Sequence, residues 1–442
     1  MNLRLALWTL VVVVAVAGAS RLAHAQAQGE VTIGYQGLPY KAPGETQTGI
    51  QVSDGVLLHV GAGAEGGYDS NVFYTDTDPS AAAIYRATIF GELTNATRTG
   101  LAKALSFDAR AGLQYRRYQF TNTLPGNAAE SDYANAWMPT AGLALSAGTG
   151  QLGFGLADTF ARIEDPPYAS GVSIGHVITR YNNQASIEGR WSPGGGRLTT
   201  MLRYTNMIDI FDEVSGYSYA NSNTNLLMLD AAWKWLPKTA IFVNAQQGII
   251  FYLNDSAATV GKESSYPLRV TAGLRGLLTE RTSAVLSLGY NNAFVSGGAT
   301  STSGFWGSSF AELSFTLRPS DLSRIVAGYR HDFQNSVISQ FYNADTVYLS
   351  YVQQIAGRVA LDLSGRYVRK DYQGLLSNAG ATARLDNFFQ VGATLDYFVR
   401  NWMYAGLGYS LLLNDANLTG AADPNSADYT KHQMFVRLGV TY

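Results

Sequence analysis

The chain has no cysteine among its 442 residues. That excludes disulfides, thiolate metal sites and a lipid anchor attached through an N-terminal cysteine. Charge is also scarce. Asp, Glu, Lys and Arg make up 14% of the residues, where soluble domains carry about 25%. Beyond residue 25 no apolar run reaches the roughly 18 residues a helix needs to cross a bilayer. Histidine is rare: His59, His176, His331 and His432 are scattered along the mature chain. No H-E-x-x-H or P-loop pattern occurs. His331 and Asp332 are strand neighbours that face opposite ways, so they make no dyad. No enzymatic activity, cofactor or metal is therefore expected. Asp76-Thr77-Asp78-Pro79 and Asn414-Asp415 lack the closing Glu of a calcium loop and read as solvated loop acids. A net charge of −2 argues against a nucleic-acid partner.

What is present points to export. Arg4, the apolar run 5–19 and Ala23-His24-Ala25 form a signal peptide with an A-x-A cleavage site. The mature protein is expected to start at Gln26. Residues 26–55 are polar, with Gly34, Pro39, Pro43 and Gly44, and read as a periplasmic N-terminal segment. Gly is abundant at 46 residues, and Tyr exceeds Phe, 27 to 19.

From residue 56 onward the hydrophobic period is two. Residues 269–277, 358–367 and 389–397 alternate apolar with small, polar or charged side chains, so each strand has one greasy face and one wet face. Tight turns recur at 148–150, 193–196, 236–238, 279–281, 318–321, 356–357 and 400–401. Gly or Pro marks most of them. Longer polar loops lie between, at 67–83, 164–178, 210–222, 254–264, 294–303, 372–383 and 415–428. Strands are predicted at 56–66, 84–94, 104–119, 133–147, 152–163, 179–191, 197–209, 223–235, 240–253, 265–278, 283–293, 304–317, 322–335, 340–355, 358–371, 384–399, 402–414 and 429–442. The fold class is therefore all-β: a transmembrane antiparallel up-and-down barrel of about 18 strands over residues 56–442, with short periplasmic turns and longer external loops. A β-propeller would need four short strands per period of about 40 residues, but each period here holds two long ones.

Parity assigns the faces. Leu268, Val270, Ala272, Leu274, Val359, Leu361, Leu363, Val391, Ala393 and Leu395 are placed toward lipid. The expected lumen-lining bases are Arg110, Arg116, Arg190, Arg203, Arg269, Arg275, Arg330, Arg366, Lys370 and Arg437, with Arg86, Lys234 and Arg324 beside them. The inward acids are Glu92, Asp108, Glu188, Asp230, Glu312, Asp332, Asp362 and Asp396. Bases outnumber acids here. A wall of paired charges that simply solvates the bore is one reading, and a basic-leaning bore that concentrates anionic cargo is the other. Trp191, Trp233, Trp235, Trp402 and Tyr404 are placed in one aromatic girdle and Tyr290, Tyr329, Tyr351, Tyr367 and Tyr409 in the other. Phe90, Tyr118, Trp306 and Tyr348 are the inward candidates for stacking on sugars. No loop looks long enough to close an 18-stranded bore.

Two local patterns resemble known signals. Met434, Val436, Leu438, Val440 and Tyr442 share one face of the final strand, and the terminal Tyr442 resembles the signal read by the outer-membrane assembly machinery. The run Tyr68-Asp69-Ser70-Asn71-Val72-Phe73 follows the first strand, with Ile84-Tyr85-Arg86-Ala87-Thr88-Ile89 after it. It resembles a family of outer-membrane β-barrel porins with a Y-D-[SD]-N-[VI] element. The match is specific over that short element and extends elsewhere only as barrel pattern. Within that family, members in myxobacteria are implied to be outer-membrane components of Wzx/Wzy-type exopolysaccharide secretion. That implies a periplasmic polysaccharide-export protein as partner and a polysaccharide as cargo. Asp69 and Asn71 are expected to serve the turn. The expected role is a non-enzymatic conduit in the Gram-negative outer membrane, in contact with outer-membrane lipid. A diffusion porin for small solutes such as sugars, or a structural barrel with a closed bore, are the alternatives.

Overall fold

In the computed structural model, residues 49–53, 55–95, 105–121, 135–165, 178–212, 216–296, 307–377, 379–421 and 427–442 are described. The proposed signal peptide, most of the 26–55 segment, Trp306 and His176 lie outside them. Eighteen antiparallel strands form one closed ring: β2 (Val56–Asp69), β3 (Ala82–Thr94), β4 (Leu105–Phe120), β5 (Asn135–Thr149), β6 (Leu152–Asp165), β7 (Ile178–Trp191), β8 (Leu198–Phe211), β9 (Ser222–Leu236), β10 (Thr239–Tyr252), β11 (Leu268–Leu277), β12 (Thr282–Asn292), β13 (Ser309–Ser320), β14 (Ser323–Asn335), β15 (Ser339–Ile355), β16 (Val359–Leu375), β17 (Ala383–Arg400), β18 (Met403–Thr419) and β19 (Tyr429–Thr441). Each strand pairs with its sequence neighbours. The ring shuts where β19 pairs with β2, from Gln433↔Asp69 to Thr441↔Gly61. Reciprocal bonds between Val60 and Tyr442 extend that seam to the last residue. Closure is forced because hydrocarbon offers no partner to a free strand edge.

Every predicted strand corresponds to one of these, and every predicted tight turn falls at a hairpin on one end of the barrel. At Pro193-Gly194-Gly195-Gly196 the three glycines take positive φ of 61°, 68° and 78°, a backbone that side-chain-bearing residues rarely adopt. The largest differences lie at the loop end. β16 runs to Leu375 and β18 to Thr419, beyond the predicted 371 and 414. The ladder continues there with polar residues on the outside, such as Asp371, Asp415 and Asn417. Above the hydrocarbon, alternation loses its apolar face while pairing persists.

One strand escaped the sequence reading. β1 (Ile50–Ser53) pairs with β2 through Ile50↔Leu58 and Gln51↔Leu57. It takes the same edge of β2 that β19 uses, just beyond the point where β19 ends. Its side chains are exposed, so it has no dyad pattern for the sequence to reveal.

The faces divide as the pleat requires. On β16, Ala360, Ser364, Arg366, Val368, Lys370 and Tyr372 are buried toward the interior, while Leu363 and Tyr367 are exposed outside. Leu274, Leu349, Leu407 and Val436 stand on the outer surface at 42%, 54%, 56% and 58% exposure. That level of exposure for large aliphatic side chains makes sense only against lipid. Leu349→Arg, near the middle of β15, should therefore destabilise the barrel in phospholipid bilayers by about 2–4 kcal/mol. Ser350→Arg, one residue on and facing inward, should cost much less. Urea titration of both variants in liposomes checks this, and equal costs would overturn the assignment of faces.

Candidate functional site: the lumen and its lid

The inner wall is built from the inward parity of the strands, and its charges meet in cross-strand groups. Asp332 on β14 is buried and accepts from Arg269 and Arg330 at 2.5 Å each, and from Asn291 at 3.0 Å. The Phe310 ring lies near both guanidiniums, 5.4 Å from Arg269 and 5.5 Å from Arg330. Glu188 likewise joins Arg190 and Arg203, at 2.6 Å each. Asp396 accepts from Arg437 Nε at 2.9 Å and Nη2 at 2.5 Å. Gly406 on β18 leaves room for this pair, since a Cβ there would collide with the Asp396 carboxylate.

The other predicted bases are placed as follows. Arg86 pairs with Glu65, and Arg116 with Glu164. Arg110 lies 3.5 Å from Asp108 and opposite Glu92 in register. Arg275 is 3.7 Å from Asp230 and over the Phe242 ring. Arg330 stands opposite Glu312. Arg366 and Lys370 lie 5.6 and 5.5 Å from the Phe388 ring. Lys370 is also 5.4 Å from the Tyr342 ring. Arg324 shares a row with Asp362 through Val352 between them. Lys234 sits at the turn end, exposed. Most of these bases are thus engaged by acids or rings.

The Tyr68–Asn71 element does structural work at the closure seam. Asp69 is fully buried. Its Oδ1 accepts from the Asn71 backbone at 3.0 Å, and its Oδ2 meets Lys431 Nζ at 2.9 Å and Gln433 at 2.8 Å. Ser70 Oγ accepts from the His432 backbone at 2.8 Å. Asn71 binds the backbone of Thr75 and Thr430. Tyr68 points outward and is 44% exposed. The turn drives Val72 and Phe73 inside, where Phe73 stacks on Phe120 at 5.7 Å. Tyr442 ends β19 facing out.

The loops do not leave the bore clear, contrary to the expectation that none could close it. One buried apolar cluster joins Phe211 of β8, Tyr219 and Ala220 of the β8–β9 loop, Val337 and Ile338 between β14 and β15, Leu376, Phe388 of β17, Leu412 of β18 and Tyr74 of the β2–β3 loop. Strands β8 and β17 stand diametrically opposed in the ring, so the cluster crosses the mouth. Among the described residues this cover comes from several short segments. Backbone and side-chain bonds tie them together. Leu253 N donates to Asn221 O at 2.8 Å, Asn254 to Ser218 O at 2.7 Å, and Ser377 N to Val260 O at 3.1 Å. A short helix, α1 (Ser256–Val260), caps the β10–β11 loop.

Lys262 follows that helix and is the clearest functional residue that parity could not find, because a loop has no parity. Its buried ammonium donates to Ser339 O at 2.5 Å, Ser336 O at 2.7 Å and Gln340 O at 3.1 Å, and lies 3.3 Å from Asn335 Oδ1. Burial pulls its pKa from 10.5 down to about 7. Lys431, Arg384 and Asp386 were also missed, although they share parity with Arg437 and Asp396. Asp386 holds Arg384 at 2.6 Å and accepts from Tyr372.

The aromatics divide with two corrections. Trp191, Trp233, Trp235 and Trp402 are exposed outside near the turns. Tyr404 is not in that girdle. It points inward, 3% exposed, against Phe398 and Ala360, because its even position shares the parity of Gly406. Tyr351 lies toward the turn end of β15, not the loop end, and bonds Gln353 there. The other outer tyrosines bond polar neighbours: Tyr329 to Asp345, Tyr367 to Asn387 and Tyr409 to His432. His331 faces out with them, 2.8 Å from Asp345. Phe90, Tyr118 and Tyr348 are buried on the inner wall. They form no continuous stripe. Among the described residues no His, Asp and Glu group has metal-site spacing.

A closed antiparallel barrel with an apolar belt outside and an ionised wall inside defines a transmembrane β-barrel of the outer-membrane channel class. No family model matches the chain, nor does any curated protein sequence. Among solved structures, the siderophore receptor PirA from Pseudomonas aeruginosa is 11% identical over 87% of this chain and 80% of that one, with a TM-score of 0.42. OccAB4 from Acinetobacter baumannii is 11% identical over 87% of this chain and 98% of that one, with a TM-score of 0.45. Likeness at this level assigns no activity.

Two outcomes are expected. Asp332→Ala removes the carboxylate shared by Arg269 and Arg330, so the reversal potential in a KCl gradient should move toward anion selectivity. No movement would mean that those charges do not sense the permeating ion. Lys262 gives a pH dependence. Between about 7 and 10.5 the undocked lysine binds its proton more tightly than the docked one, so docking of residues 253–267 should strengthen as pH rises through that window. Subtilisin cleavage within 253–267 should therefore be slower at pH 9 than at pH 7. Lys262→Met should raise cleavage and flatten that dependence.

Proposed function

We propose that the protein is an outer-membrane channel for small polar solutes, which pass one at a time beneath a loop lid. The observation that carries this is the apolar cluster across the mouth above a wall of largely paired charge. A polymer conduit needs an unobstructed bore, whereas a small solute needs only the gaps between loops. The wall favours weak ion selectivity, because most arginines already hold a carboxylate or a ring. The protein is read as non-enzymatic. Its partners are the lipids of the outer membrane and the outer-membrane assembly machinery.

The Tyr68–Asn71 element supports a second reading, translocation of an exopolysaccharide together with a periplasmic export protein. That reading requires the lid to be displaced when cargo arrives.

Reconstituted into planar bilayers and proteoliposomes, the full mature chain is expected to conduct KCl with weak selectivity. It should also admit mono- and disaccharides and exclude long dextrans in swelling assays. Absence of both conductance and swelling would defeat the channel reading. Loss of surface polysaccharide on gene deletion, with solute uptake intact, would favour the second.

A further inference from the structure

Under the lid, the inner wall of β7–β11 and the end of β14 enclose a cavity of about 370 Å³. We propose that it is a binding site for a neutral, hydroxyl-rich solute of mono- to disaccharide size. This deepens the small-solute reading and rests on it for a place along a permeation route.

The size falls within the range of about 300–1,000 Å³ typical of small-ligand sites. The register sets two rungs across three strands. In the upper rung Asp209, Ser222 and Tyr252 stand side by side on β8, β9 and β10. In the next, Met207, Thr224 and Ile250 do so. A polar rung thus lies directly above a mainly apolar one. A sugar presents the same pairing, a rim of hydroxyls around a C–H face.

Charge discriminates among guests. Arg180 donates to Asp209 at 2.6 Å, and Asn182 shares that oxygen at 2.8 Å. Arg269 is held by Asp332. An ionic guest has to break one of these partly buried pairs and leave a charge uncompensated. A hydroxyl-bearing guest exchanges hydrogen bonds with uncharged groups such as Thr224 and Gln246 and leaves the pairs intact. Phe211 and Phe333 line its margin. The roof is the lid itself, through Ala220, Val337 and the bond from Tyr252 to Asn335 at 3.2 Å.

Calorimetric titration of the full mature chain in detergent micelles tests this, with glucose and maltose as neutral probes and glycine and arginine as charged ones. Saturable binding of at least one sugar and of neither charged probe is expected. Thr224→Val and Gln246→Leu should each weaken sugar binding about tenfold. Failure of the unaltered protein to bind either sugar would overturn the proposal. So would binding of the charged probes in place of sugars, or unchanged affinity in both variants. The two readings fail separately: conductance without sugar binding rejects the site alone, and sugar binding without conductance rejects the channel alone.

Discussion

A backbone amide in hydrocarbon has nothing to bond to except another strand. Everything else in this molecule depends on that constraint. It makes the β2–β19 seam obligatory, and the chain invests heavily there. Asp69, Lys431 and Gln433 form a buried polar group across it, with Lys431 lying 3.8 Å from the Tyr74 ring. The same group turns the β2–β3 loop inward and feeds Tyr74 to the lid. Closure of the ring and covering of the mouth thus share residues.

Closure also dictates the interior. A ring of eighteen strands is too wide for inward side chains to fill, so the wall must remain compatible with water. Ion pairs solve this locally. A carboxylate shared by two guanidiniums satisfies each group without help from the opposite wall, and nearby rings cover the guanidinium faces. The wall is polar, and most of its charges are held in pairs within it.

The lid obeys different physics. Above the membrane, segments compete with water rather than lipid, and they associate as the core of a soluble protein does, by burying Tyr, Phe, Val and Leu together. Lys262 crosslinks this core to the β14–β15 turn through carbonyl oxygens and no carboxylate. Its anchoring is therefore geometric, and it responds to proton loss in a way that the salt-bridged wall does not.

The barrel, its strands and its two faces were determined by the sequence alone. A period of two is a local property, and residues such as Leu361, Leu363 and Arg366 declare their sides within a single strand. The wall charges were legible for the same reason, although their pairing was not, because parity fixes a face and leaves the height on the neighbouring strand open. Tyr404 was misplaced by its nearness to a turn, where position outweighed parity. The lid and the cavity beneath it belong to tertiary structure only. Phe211, Val337, Leu376 and Phe388 come from distant segments with no shared period, and only the curvature of the closed ring brings opposite walls and their loops within contact.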